Sequence, residues 1–124
     1  MSVSQFPDLL GHTFTSVTSS SDRMEFHRSD GKVFAFFHLQ DCCESVLIED
    51  IAGDLSDLEN SPLTMAEEVS NVDPEPKFAD DYQPESFTWT FYKFATVKGY
   101  VTVRWLGESN GYYSESVTFE EVTP

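Results

Sequence analysis

Positive charge is scarce in this 124-residue chain: 7 Lys and Arg stand against 22 Asp and Glu, a formal net charge of −15. Ordinary nucleic-acid binding neutralises phosphates with Lys and Arg, so a broad basic surface for DNA or RNA is excluded. Anionic membranes repel such a chain for the same reason. Cysteine is nearly missing, with only the adjacent Cys42 and Cys43. Neighbours in a strand point to opposite faces, which makes a bridge between them geometrically poor, so reduced thiols in a cytoplasmic protein are expected. No apolar run reaches the roughly 18 residues of a membrane span, and Met1 to Leu10 does not read as a secretory leader. Also missing are Gly-x-Ser-x-Gly, a phosphate-cradling glycine loop and His-Glu-x-x-His. The expectation is a protein that is not an enzyme and carries no cofactor.

Aromatic residues are plentiful, at 15% with 11 Phe, enough apolar surface for one core. Residues 1–124 are therefore read as a single domain. Phe6 to Gly11 reads as a short helical turn closed by glycine, and Thr13 to Thr18 as a strand. Arg23–Arg28 and Val33–Leu39 flank Asp30-Gly31, a two-residue hairpin signal. That turn places Met24, Phe26, Val33, Ala35, Phe37 and Leu39 on one face, with Glu25, His27, Phe34, Phe36 and His38 on the other. Glu44 to Ile51 is a further strand. Asp54 is a candidate N-cap for a helical turn carrying Leu55 and Leu58. Ser61-Pro62 suggests a second short helix running through Ala66, Glu67 and Glu68, and Val72 to Pro84 reads as a loop. The fold class expected is α+β: a mostly antiparallel twisted sheet of about six strands, with short helices in the central segment.

The last third, Ser86 to Val122, reads as three antiparallel strands. A two-residue turn at Lys98-Gly99 pairs Lys93 with Arg104 and Tyr92 with Trp105. A three-residue turn at Ser109-Asn110-Gly111 then pairs Arg104 with Ser116 and Val103 with Val117. One face is apolar, with Tyr92, Phe94, Val101, Val103, Trp105, Tyr113, Val117 and Phe119. The other carries Phe91, Lys93, Thr102, Arg104, Ser114, Ser116 and Thr118. Two cations side by side repel, so an acidic group is required there, either the protein's own carboxylate or a bound anion. Hydroxyls and a guanidinium suit phosphate. The candidate ligand-binding residues are thus Lys93, Arg104, Ser109, Asn110 and Ser116, with Trp89, Tyr112 and Tyr113 for stacking. Other clusters are weaker. His38, Asp41, Cys42, Cys43 and Glu44 lack zinc spacing, and Glu49, Asp50, Asp54 and Asp57 match no calcium loop, so no metal is expected.

The stretches His38-Leu39-Gln40-Asp41-Cys42-Cys43-Glu44-Ser45-Val46, Ile48-Glu49-Asp50-Ile51, Gly53-Asp54-Leu55, Trp89-Thr90-Phe91-Tyr92-Lys93, Arg104-Trp105 and Ser109 to Glu115 resemble a family of small acidic proteins. That family is classed as a domain of unknown function and is spread through phage and bacterial genomes; the likeness runs over about residues 9 to 122. It implies a compact cytoplasmic β-rich domain, in the host cell if phage-encoded, and brings no catalytic residues. Two roles follow as expectations. One is an anti-defence protein, homo-oligomeric around an enclosed pocket, that sequesters a small phosphorylated, nucleotide-derived signal. The alternative is an acidic nucleic-acid mimic that blocks a host defence nuclease or other DNA-binding protein. Its leading acids would be Glu49, Asp50, Asp54, Asp57, Glu59, Glu67 and Glu68.

Overall fold

The computed structural model describes residues 2–40, 43–70, 86–109 and 115–123. Its strands are β1 (Ser2–Gln5), β2 (Phe14–Ser19), β3 (Arg23–Arg28), β4 (Val33–Phe37), β5 (Ser45–Ala52), β6 (Met65–Ser70), β7 (Ser86–Thr96), β8 (Gly99–Ser109) and β9 (Thr118–Glu121). They form a five-stranded sheet in the order β1-β6-β7-β8-β5 and a four-stranded sheet in the order β2-β3-β4-β9. All strand pairs are antiparallel.

The α+β expectation is overturned. Among the described residues the only helix is one 3-10 turn, Leu55–Leu58. Asp54 does cap it, accepting from Ser56 N at 3.0 Å, and Leu58 is fully buried beneath it. The second helix does not form. Pro62 bridges Thr13, Leu63 N donates to the His12 carbonyl at 3.1 Å, and Thr64 N donates to the Ala95 carbonyl at 2.8 Å. The backbone groups a helix would use internally are committed to neighbouring strands, and β6 follows, paired from Met65↔Ala95 to Ser70↔Thr90. Capping signals without a repeating apolar stripe mark a start with nothing to propagate it.

The hairpin β3–β4 corrects a register. Arg28 N donates to the Lys32 carbonyl and Gly31 N to the Arg28 carbonyl, so the loop holds three residues, Ser29, Asp30 and Gly31, not two. Gly31 takes φ +95°, the left-handed conformation such a loop needs. One extra loop residue flips every side chain of β4. Met24 therefore faces Phe36 and Phe26 faces Phe34, while Ala35 and Phe37 lie with Glu25 and Arg23.

The hairpin β7–β8 corrects another. Thr96 pairs with Gly99, and Val97-Lys98 forms the turn. The Thr96 hydroxyl accepts from Lys98 N at 3.1 Å and donates to the Asp57 carbonyl, closing the turn without a left-handed glycine. Gly99 serves packing instead: a Cβ there would lie 2.5 Å from an Asp57 carboxylate oxygen. The slip is two residues, so faces are preserved and partners are not. Tyr92, Phe94, Val101, Val103 and Trp105 are all buried on one face. Arg104 stands opposite Phe91, however, and Lys93 opposite Thr102.

The third strand of the expected meander leaves the sheet. β9 pairs with β4, Phe36 to Phe119 and Phe37 to Thr118, while β8 takes β5 as its other neighbour. Glu115 crosses over Gly107 on the way: a Cβ at Gly107 would lie 2.6 Å from the Glu115 carbonyl oxygen. Only glycine admits so close a backbone approach. Val117 and Phe119 still pack on the core, but from the other sheet.

The two inner faces meet through aromatic rings. Phe36 lies 4.5 Å from Tyr92 and 5.8 Å from Phe94 by ring centroid, and Phe26 lies 5.0 Å from Phe94. These offset and edge arrangements are the favourable ones. Leu9, Phe14, Leu58 and Leu63 belong to the same buried cluster.

Candidate functional site

The inner face of the five-stranded sheet is spent on the core, which leaves the outer face. The register arranges it in rows: Trp89–Leu106–Leu47 across β7, β8 and β5, and Val69–Phe91–Arg104–Asp50 across β6, β7, β8 and β5. Phe87 extends the aromatic column of β7. Phe87 and Leu47 are 42% and 43% exposed, a large apolar surface to leave in water on one sheet face. Trp89 and Phe91 lean together at 6.4 Å.

Arg104 sits at the centre of this face. Its guanidinium carbon lies 5.1 Å from the Trp89 ring centroid, a cation–π contact. Its Nε donates to Glu49, and Nη2 approaches the same carboxylate oxygen. The strand makes that pairing possible: β5 shifts register between Ile48 and Asp50, and the bulge turns Glu49 toward Arg104. Lys93 lies on the same face between Glu67 and Thr102. Glu49 supplies the acid that Arg104 requires, and the register sets Glu67 opposite Lys93.

The remaining sequence candidates do not converge there. Ser109 donates to Glu115 at 2.5 Å, and Thr88 donates to the other oxygen of the same carboxylate at 2.8 Å. Ser116 lies in the segment leading to β9, where its carbonyl contacts His38 Nδ1 at 2.6 Å. Asn110, Tyr112 and Tyr113 lie outside the described residues. The acids expected to mimic phosphates are dispersed as well. Glu49 holds Arg104, Asp54 caps the 3-10 turn, Glu59 accepts from Val17 N at 2.8 Å, and Glu68 faces Tyr92 across the β6–β7 ladder. Burial and then the charge of Glu68 push the Tyr92 phenol far above its ordinary value.

A pocket of about 380 Å³ opens where the rim of the four-stranded sheet meets β5. Its floor is a buried contact that sequence spacing did not single out: His38 Nε2 to Glu44 Oε2 at 2.8 Å, with side chains 4% and 0% exposed. Gln40 donates to the Glu44 carbonyl at 2.7 Å. His38 and Glu44 were grouped in sequence only as poor metal candidates, and no group of three or more His, Cys, Asp or Glu side chains placed to hold a metal ion is found among the described residues. Arg23 forms part of the wall; the hydrogen bond from its Nε to Glu25, at 2.6 Å, holds that carboxyl below its ordinary value. The cysteine expectation fails here. Cys43 is disulfide-bonded, and it lies in a bend before β5, not in the extended strand on which the argument for divergence rested. Cys42 is outside the described residues.

Fold and site together define a small antiparallel two-sheet β domain with an aromatic–arginine cluster on its outer face. The chain belongs to the family of the domain of unknown function DUF7448, which matches residues 7–119. No curated protein and no solved structure shows significant similarity to it. No helix among the described residues is long and apolar enough to cross a membrane.

Proposed function

We propose that the protein works by binding, and that it holds a basic protein partner on the outer face of the five-stranded sheet. One observation carries this reading: Phe87, Trp89, Leu106 and Leu47 share a sheet face with an arginine already oriented by Glu49 and Trp89, in a chain of net charge −15. Aromatic side chains and arginine are the groups that dominate protein interfaces energetically. The surrounding negative field steers a basic partner in and repels an acidic one. A second copy of this chain carries the same −15 and is disfavoured on that ground.

A phage-encoded anti-defence inhibitor of a host nuclease or other DNA-binding protein is the specific form of this reading. Its recognition rests on an aromatic anchor within an acidic field, in place of an array of acids at phosphate spacing. Capture of a small phosphorylated signal by Lys93 and Arg104 ranks second. A phosphate arriving there displaces Glu49 and meets Asp50 opposite Arg104.

The test is affinity capture from host-cell lysate with wild type, Trp89→Ala and Arg104→Glu as parallel baits. The expected result is a basic protein held by wild type, lost from both variants, and released by duplex DNA. Equal recovery on all three baits, or a retained nucleotide with no protein, refutes the proposal.

A further inference from the structure

The pocket beside Arg23 borders the face assigned above to a protein partner, sharing Leu47 with it, and it presents a differently prepared arginine. The Arg23 guanidinium is fixed twice: Nε donates to Glu25 at 2.6 Å, and the group lies over the Phe37 ring at 5.2 Å from the centroid. Glu25 is braced in turn by His27 at 3.1 Å. Both anchors act through Nε and the face of the guanidinium, and among the described residues its two Nη groups make no hydrogen bond. Arg104 differs, because its Nη2 already meets Glu49. Arg23 borders the pocket of about 380 Å³ and a second cleft of about 230 Å³ beside it. The larger volume falls within the range of small-molecule sites. Its lining includes Phe37, Ser45, Val46 and Leu47 beside the buried His38–Glu44 contact.

We infer that this pocket binds a small organic monoanion, a single carboxylate on an apolar body, with the carboxylate forked across the two Nη groups of Arg23. A preoriented guanidinium loses little freedom on binding, and its paired N–H groups match the two oxygens of a carboxylate. The apolar body lies along Phe37, Val46 and Leu47. The net charge limits the ligand: each further negative charge is repelled by the −15 of the chain and by Asp22 at the same rim. A polyphosphate or a nucleic acid is therefore the wrong class.

The probe is benzoate, with benzamide as its uncharged isostere and inorganic phosphate as the headgroup without a body. Each is titrated into the ¹⁵N-labelled full chain, following the Ser45–Leu47 amides and the Arg23 Nε–H. Benzoate is expected to give saturable shifts with a Kd of about 1 mM, an affinity in the range of small fragments. Benzamide and phosphate should bind at least tenfold more weakly. Arg23→Gln should abolish the benzoate shifts, Arg23→Lys should weaken them about tenfold, and Arg104→Gln should leave them unchanged. The Arg23 side chain is 40% exposed, so the variants are expected to fold, and their amide spectra check this directly. Benzamide binding as well as benzoate, benzoate shifts that persist in Arg23→Gln, or no saturable shift overturns the inference. None of these outcomes bears on capture by Trp89 and Arg104.

Discussion

Replacing Gly107 with alanine probes the crossing that carries the chain from one sheet to the other. A Cβ built there lies 2.6 Å from the Glu115 carbonyl oxygen and 2.7 Å from the Glu115 Cβ, where ordinary contact begins at 3.4 Å. The crossing segment must therefore retreat by about 0.8 Å to restore ordinary contact, and an overpacked interior of this kind costs about 1–3 kcal/mol. The retreat also strains the bonds by which Thr88 and Ser109 hold the Glu115 carboxylate. Hydrogen bonds to a charged group contribute about 1.5–3 kcal/mol each, so partial loss brings the expected total to about 2–4 kcal/mol. Gly11→Ala is the internal reference. Gly11 sits at φ +78° with open space around it, so only backbone strain of about 1–2 kcal/mol is charged there. Urea unfolding followed by circular dichroism should show a lower midpoint at unchanged slope for both variants, with Gly107→Ala the lower. A Gly107→Ala protein as stable as wild type, or more stable than Gly11→Ala, would mean that Glu115 does not cross there.

Phe36 touches rings of both sheets, so Phe36→Ala should cost about 3–5 kcal/mol. Val97→Ala, 85% exposed in the β7–β8 turn, should stay within about 0.5 kcal/mol of wild type, and thermal melts distinguish the two. The raised Tyr92 value makes stability fully present below the ordinary tyrosine value of 10.0 and lost as pH rises beyond it, because only the unfolded chain ionises readily. Tyr92→Phe should flatten that alkaline loss. Urea midpoints of wild type and variant at pH 7 and above pH 10 check this. His38→Leu should take from the buried Glu44 carboxylate one of its hydrogen bonds and cost about 1.5–3 kcal/mol, whereas replacing His38 and Glu44 together by apolar residues should recover part of it.

Alternation was the most legible part of the sequence. It placed Trp105, Val103 and Tyr92 on a buried face and Lys93 and Arg104 together on the other, and both placements survived a two-residue slip in pairing. Loop length was not legible at the same precision. Asp30-Gly31 signals a turn, but whether Ser29 joins the loop depends on hydrogen bonds made after folding, and that one residue decides which face Phe34 and Phe36 occupy. Glycines misled where they serve packing: Gly99 makes room for Asp57, and Gly107 for Glu115. The partner of Arg104 was hidden because Glu49 reaches it only through a bulge in a strand remote in sequence. The His38–Glu44 pair was present as a short-range cluster, yet its burial depends on the segment at Ser116 closing over it.

The most direct measurement of the central proposal uses Trp89 as reporter, since Trp105 is fully buried and silent to surface contact. The partner recovered by capture is titrated into wild type and into Trp89→Phe, with tryptophan emission and acrylamide quenching followed at low and high salt. Direct occupation of the outer face predicts a blue shift and protection from quenching in wild type, both missing from Trp89→Phe, with affinity falling as salt screens the acidic field. A saturated complex in which Trp89 emission and quenching are unchanged contradicts it.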